Sequence, residues 1–359
     1  MSGTEASAKS SRACIAVVGG GIIGLSVAWE LSRRGHMVTV FDPASPDRST
    51  SWAAAGMIAP AYEVMIHGGG AGTPLARLCY ESAARWAGFA RDLAFESGMP
   101  VGYRSAPTFA LARTIDEKER LAGLAATLAD AGHRFAWHGT AEVRDRLGVS
   151  AKVQSVLELP DDHQVDNRRV LQAFRRYGEQ GGFRMERRAV SSRDELGDRF
   201  DAVVWSRGTR ETGVEALVKG QALALQPVPG LPAEVLRFGS GYIVPKADRV
   251  VIGATSEETF AHSGVRADTT QALRDAAIAV LPELRHAPVL ETWAGLRPKR
   301  AGGLPVIGEL APGEFVAAAH YRNGILLAPA TASRIADMVE GDAEAEGAFS
   351  PHRLQASYN

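Results

Sequence analysis

The chain has 359 residues, 45% of them hydrophobic and 23% charged, with 40 Lys and Arg against 41 Asp and Glu. That length suits two domains, or one domain carrying a large insertion. A formal net charge of -1 leaves no electrostatic footprint for nucleic acid or an anionic membrane, and two cysteines far apart, Cys14 and Cys79, exclude a disulfide framework and favour a reducing, cytoplasmic compartment.

Residues 1–12 are polar, lack the apolar core of a signal peptide and read as a disordered lead-in. An apolar run, Cys14 to Val18, opens the folded part. Gly19, Gly21 and Gly24 follow in the spacing G-x-G-x-x-G. An apolar-rich segment beginning at Ile22 and Ile23 continues to Gly35, and a second run, Met37 to Phe41, ends at Asp42. Strand, glycine turn, helix, strand and acid in that order predict a βαβ unit that binds a dinucleotide. Gly19 permits the tight turn, Gly21 lets the backbone approach a pyrophosphate, and Gly24 lets the helix pack close to the sheet. The helix start offers free N–H groups and its positive dipole end to phosphates. Asp42 stands where an acid bonds a ribose hydroxyl. The motif does not say which dinucleotide is bound.

Downstream comes a run of small residues that includes Ser51, Ala53, Ala54, Ala55, Gly56 and Met57. It lets backbone approach a large flat group, or it is simply an Ala-rich helix start. The glycine-rich stretch 67–72 is a lid or a plain flexible loop. Helices are expected from Thr73 to Ser97 and from Asp116 to Ala131, the second with a capping box at Thr114 and Glu117. Asp166 to Gly181 reads as another helix. Phe183 to Val190 and Phe200 to Trp205 read as strands, the latter ending in Ser206-Arg207-Gly208, which suits a second close approach to the cofactor. Gly241 to Pro245 and Val250 to Ala254 form a β-hairpin with a four-residue loop. Ala267 to Leu281 is helical. Val289 to Leu296 is a strand that stops at Arg297-Pro298. A strand from Phe315 to Ala319 runs through His320-Tyr321-Arg322-Asn323-Gly324 into a helix that starts at Ile325 or Pro329. The nine histidines lack ligand spacing, so no metal site is expected. No apolar run reaches the ~18 residues of a membrane span. No internal repeat or low-complexity linker divides the chain, so its domains are interleaved.

A small-residue run after the dinucleotide unit and a second ligand-facing helix start at Asn323, Gly324, Ile325 and Leu326 suit FAD better than a nicotinamide. The isoalloxazine is planar, and its reduced form carries negative charge that a helix N-terminus stabilises.

Five motifs carry a resemblance. They are I-A-V-V-G-G-G-I-I-G from Ile15, S-W-A-A-A-G-M from Ser51, G-Y-I-V-P from Gly241, W-A-G-L-R-P from Trp293, and H-Y-R-N-G-I-L-L-A-P-A-T from His320. Together they resemble the D-amino acid oxidase superfamily of flavoproteins and, within it, the glycine oxidases of thiamine biosynthesis. The resemblance covers nearly the whole chain and is weakest from about 65 to 159; the last two motifs are its most specific part. It implies an α/β fold: a Rossmann-like FAD-binding domain from residues 13–80, 160–215 and 297–345, interleaved with an antiparallel-sheet, α+β substrate domain from 81–159 and 216–296. It implies that Arg297 pairs with the substrate carboxylate, that Tyr242 hydrogen-bonds the same group, and that Arg322 is a second arginine of the active site. A guanidinium fork matches a carboxylate and a phenol adds a donor. It places Val190, Gly208 and His320 beside the cofactor, and no cysteine in the C-terminal motifs offers a covalent flavin link, so FAD is held non-covalently.

The implied reaction is the oxidation of glycine or a small amine such as sarcosine, or of small D-amino acids. A hydride passes to flavin N5, the imine hydrolyses to an α-keto acid and ammonia, and oxygen gives hydrogen peroxide. Two alternatives stay open: a dehydrogenase of D-amino or N-methyl amino acids that uses another acceptor, and a flavin-binding protein without catalysis. The expected partners are a small amino acid or amine and oxygen, with no nucleic acid, and homo-oligomerisation is left open. Arg207 departs from the pattern, because small residues usually surround that glycine. The stretch from Gly208 to Val218 is also short and charged for the family.

Overall fold

The apolar runs that read as strands stack into a largely parallel sheet. In the computed structural model, which describes residues 12–45, 47, 49–67, 70 and 72–354, β1 (Cys14–Val18) pairs in parallel with β2 (Met37–Phe41) and with β9 (Ala202–Trp205). β8 (Arg184–Glu186) extends the sheet beyond β2, while β16 (Glu314–Ala318) joins β9 in parallel and pairs with antiparallel β15 (Val306–Ala311). The run from Phe183 to Val190, expected to be one strand, is strand only over β8, because this edge strand pairs only with Thr39 to Phe41. The expected lead-in at 1–12 lies outside the described residues but for residue 12.

A parallel sheet is covered on both faces. Ile15 and Val17 point toward four helices: α1 (Ile22–Arg33), α4 (Pro74–Ser97), α7 (Asn167–Glu179) and α9 (Gly324–Val339). Ala16 and Val18 point the other way, against Phe41, Val190, Leu196 and Phe200. The alternation explains why β1 is an unbroken apolar run. The caps read from sequence are in place: Thr114 Oγ1 accepts from Glu117 N at 3.2 Å at the start of α5 (Ile115–Asp130), although the glutamate reaches back to Arg113 N, at 2.7 Å, one residue before the expected donor.

The second sheet has the order β14-β10-β13-β12-β11-β4-β6-β5. Its strands are β4 (Thr108–Ala112), β5 (Ala136–His138), β6 (Ser155–Leu159), β10 (Ala216–Leu225), β11 (Val235–Phe238), β12 (Gly241–Pro245), β13 (Val250–Gly253) and β14 (Val289–Lys299). All neighbours are antiparallel except β11 and β4, which run in parallel, so the sheet expected to be antiparallel is mixed. The β12–β13 hairpin forms as its sequence predicts, with Lys246 N donating to Arg249 O across the loop. One face packs on α6 (Thr140–Leu147) and α8 (Ala267–Val280). On the other face α5 covers the β4–β6 end. A short ladder of β3 (Met57–Ile58) with β7 (His163–Gln164) lies between the two sheets in the chain, flanked by α2 (Thr50–Ala53) and α3 (Pro60–His67).

Two prolines behave differently from expectation. β14 does not stop at Arg297-Pro298 but runs on to Lys299, with Pro298 opposite Leu217. It is the edge strand, where a residue without an N–H removes no ladder bond that the sheet needs. Its outer side is not bare, since Leu296 O accepts from Thr50 Oγ1 and Pro298 O from Tyr321 N. Similarly, α9 starts at Gly324 and contains Pro329 in its first half. A proline there disrupts the local ladder. Buried Ser82 of α4 repairs it: its hydroxyl donates to Leu326 O at 2.7 Å and accepts from Ala330 N at 3.2 Å, and Trp86 Nε1 adds a second donor to Leu326 O at 3.0 Å. No helix of the described residues is long and apolar enough to cross a membrane.

Candidate active site

The glycine turn has the geometry its spacing predicts. Gly19 has φ +120°, and a side chain on it would overlap the Ser206 carbonyl; one on Gly24 would overlap the Gly19 carbonyl. β1, β9 and α1 therefore meet at van der Waals limits. Asp42 holds the turn from the end of β2, accepting from Gly20 N at 2.5 Å and from Ala44 N at 2.8 Å. Gly21 faces Ser51, whose hydroxyl accepts from Ile22 N at 2.9 Å. This bond brings the small-residue run against the start of α1. The start of α9 lies alongside, since a Cβ on Gly324 would stand 3.7 Å from Ile22 Cγ2. Neither N-cap residue, Gly21 or Asn323, makes a side-chain capping bond, and neither first turn holds an acid. Apart from the Ile22 N–H taken by Ser51, the two N-termini thus converge with their positive ends uncompensated by charge.

Ile22, Ser51, Ala53 to Met57 and Asn323 to Leu326 line a single cavity of about 130 Å³ together with Tyr242, Arg297 and Arg322. Further small residues, Gly220, Ala222, Ala254 and Gly295, form part of the remaining wall. Walls this small, beside two helix starts and a glycine turn, fit a flat ring system joined to a pyrophosphate. The residues present therefore fit FAD.

Tyr242 and Arg297 reach the cavity through strand alternation. In the second sheet, Leu223, Leu236, Ile243 and Ile252 point into the core beneath α6 and α8. The residues of opposite parity, Arg237, Tyr242, Gly220 and Arg297, point the other way and line the cavity. Gly253 stands opposite Tyr242, and a side chain there would overlap the phenol; one on Gly220 would overlap the Arg297 guanidinium. Arg297 Nη1 donates to Thr255 O at 3.2 Å. Burial pushes the Tyr242 phenol above its usual range, against the pull of Arg297, Arg237 and Arg322, so it stays a protonated donor. Burial also lowers Arg297, which remains a cation. Arg322 comes from the turn between β16 and α9, where Ala319 (φ 54°) and Tyr321 (φ 50°) are both left-handed. Such conformations cost energy and cluster at functional sites.

Several residues expected near the cofactor lie off the cavity wall. Gly19, Gly24, Asp42 and Ile23 shape the turn without lining the cavity. Val190 is buried in the apolar cluster on the far face of the first sheet. Gly208 occupies the turn after β9. Arg207 is held locally, its guanidinium 2.9 Å from Glu211 Oε1 and over the Trp205 ring. His320 is buried beneath the start of α9 and hydrogen-bonds Thr331 at 3.0 Å; burial pushes its pKa down to about 3, so it is neutral. In the loop at 67–72, residues 68, 69 and 71 lie outside the described residues.

Two charged residues of the wall carry no motif. Glu63 of α3 is 5% exposed and lies 3.8 Å from Arg322 Nε. Arg237 of β11 is 4% exposed and stands directly opposite Tyr242. Its one signal in the sequence is a lone charge inside an apolar strand. Buried Asp162 holds the start of α3, accepting from Ala61 N at 2.8 Å and Tyr62 N at 3.3 Å.

Comparison with known proteins gives the same picture. Residues 14–338 match the family model described as DAO, FAD dependent oxidoreductase. The chain is 32% identical over 354 residues to the glycine oxidase of Geobacillus kaustophilus, covering 91% of this chain and 92% of that one. It is 30% identical to the bifunctional protein ThiO/ThiG of a Nostoc species, covering 90% of this chain and 52% of that protein. The crystal structure of glycine oxidase from Geobacillus kaustophilus superposes with a TM-score of 0.84 at 28% identity, covering 94% of this chain and 98% of that chain.

Proposed function

The chain belongs to the DAO family of FAD-dependent oxidoreductases and is an FAD-dependent amine or amino acid oxidoreductase, and from that premise we propose that it oxidises a small α-amino acid, of the size of glycine or sarcosine, with oxygen as acceptor. The observation that carries the proposal is the convergence of Tyr242, Arg297 and Arg322 on one small-walled cavity beside the start of α9.

Arg297 takes the substrate carboxylate in a two-pronged pairing and the Tyr242 hydroxyl donates to the same group. Clamped at the carboxylate, the substrate has its α-carbon held in one orientation, and positioning of this kind supplies much of the rate. Burial away from water disfavours an ammonium, so the amine sheds its proton and keeps the lone pair that assists loss of the α-hydride. Bound FAD supplies the two-electron acceptor for that hydride. The substrate leaves as an imine, which water hydrolyses to a 2-oxo acid and ammonia (methylamine where the substrate is sarcosine), and the two electrons pass to oxygen to give hydrogen peroxide. The name of the Geobacillus relative, glycine oxidase, supports the same class.

The test is reduction of the yellow holoenzyme in the absence of oxygen by a panel of amino acids, followed by readmission of air. Bleaching by small α-amino acids, then recovery of colour with stoichiometric peroxide, is the expected result. Bleaching only by bulky amino acids overturns the substrate class, and slow recovery in air without peroxide overturns the acceptor.

A further inference from the structure

The cavity holds more positive charge than a monocarboxylate uses. Three guanidiniums line it, those of Arg237, Arg297 and Arg322. Glu63 faces Arg322, which leaves two to be matched. Under the reading above, Arg297 takes the α-carboxylate. Arg237 is left over.

Its surroundings are unusual for a buried cation. Its guanidinium carbon lies 3.5 Å from the centroid of the Tyr62 ring, and one Nη donates to Met57 Sδ at 3.2 Å. A thioether is a weak acceptor and a ring face accepts no in-plane N–H. The buried Nε has no hydrogen-bond partner. Among the described residues no carboxylate stands at ion-pair distance from it; Asp162, whose carboxyl feels the Arg237 charge from further off, has both oxygens engaged by the backbone at the start of α3. Buried charges are otherwise paired, because leaving water is costly without a partner. Tyr62 and Met57 hold the guanidinium in place without neutralising it, which is the arrangement of a preorganised anion site.

Its position gives the spacing. Arg237 and Tyr242 are directly opposed on β11 and β12. Such cross-strand neighbours on one face have Cβ atoms about 4.5–5.5 Å apart. An anion bound between Tyr242 and Arg297 therefore has Arg237 within reach of a second anionic group on the same small molecule. We propose that the substrate is an amino acid with two carboxylates, one held by Arg297 and Tyr242 and the other by Arg237. The second carboxylate sits on the α-substituent or on the nitrogen substituent. This inference rests on Arg297 and Tyr242 acting as the α-carboxylate clamp.

Two measurements on the FAD-loaded enzyme test it. The first titrates flavin absorbance with succinate and with acetate, which bind without turnover. The second compares anaerobic reduction by glycine, D-alanine, D-aspartate and N-carboxymethylglycine; the last two place the second carboxylate on carbon and on nitrogen respectively. Succinate is expected to bind at least about tenfold more tightly than acetate, and one of the two dicarboxylic amines to exceed glycine in kcat/KM by a similar factor. Arg237→Gln should remove that advantage, lowering kcat/KM for the dicarboxylic amine roughly 10-fold or more while glycine changes by less than about threefold. If the glutamine variant does not fold, Arg237→Lys, with a charge but no fork, should lose part of the preference, and the wild-type ratios decide alone. Glycine outperforming both dicarboxylic amines, with succinate no better than acetate, overturns the inference and leaves the amine reading standing. Reduction by none of the four overturns the amine reading itself, and the succinate titration still decides the anion site.

Discussion

Gly220 and Arg297 share a space that only one side chain can fill. They lie diagonally on β10 and β14, and a methyl group on Gly220 would overlap the guanidinium. Gly220→Ala should therefore push the guanidinium aside and leave the fold intact. The expected result is a loss in kcat/KM on the order of 10²-fold, the scale of a misplaced positioning group, with the flavin spectrum retained. Arg297→Ala should lose at least as much through the missing charge. Wild-type kinetics in either variant would remove Arg297 from the carboxylate clamp.

Gly24 tests the cofactor side in the same way. A Cβ there overlaps the Gly19 carbonyl and crowds Ser206 Oγ. Gly24→Ala should lift α1 from the sheet at a cost of about 1–3 kcal/mol, and the flavin content of the purified protein should fall. Full flavin occupancy in the variant, measured by absorbance, would show that the α1 start does not hold the cofactor.

Ser82 repairs the ladder around Pro329. Ser82→Ala leaves the buried Ala330 N–H without its acceptor and takes one donor from Leu326 O. A loss of about 1–3 kcal/mol is expected, measured by urea unfolding of the holoenzyme. An unchanged midpoint would mean that α9 rebuilds its own bonds across Pro329.

His320 supplies a pH signature. The unfolded chain takes up a proton near the ordinary histidine pKa of 6.5, while burial keeps the folded imidazole neutral down to about pH 3. Between those values the unfolded state binds more protons, so stability falls as pH drops through the window. His320→Gln cannot titrate and keeps a polar partner for Thr331. Relative to the variant, the wild type should lose up to about 1.4 kcal/mol per pH unit below 6.5. A stability difference independent of pH from 7 to 4 would show that His320 protonates freely in the folded state.

Legibility followed locality. The first βαβ unit was readable because Gly24 packs on the Gly19 carbonyl and Asp42 holds the Gly20 N–H within one supersecondary unit, where spacing carries the geometry; the fit of Gly19 against Ser206 of the distant β9 turn was not. The hairpin of β12 and β13 was readable from alternation and a four-residue loop. Pro298 and Pro329 misled, because their cost depends on what surrounds them: an open sheet edge for one, Ser82 and Trp86 of a distant helix for the other. Arg237 and Glu63 passed unnoticed, since a single charge in a strand or a short helix has no pattern of its own.

The sequence by itself determined the class of cofactor and the mixed α/β architecture, and its resemblance to a known family singled out Tyr242, Arg297 and Arg322. The first two rest largely on interactions a few residues apart, which backbone geometry translates into spacing. Only the tertiary structure decided which charges share a cavity. It brought Arg237, opposite Tyr242 on β11, onto the same sheet face as Arg297 from β14, and set Glu63 against Arg322. Strand order across a sheet and the packing of a helix over it are products of long-range burial, and no local spacing encodes them.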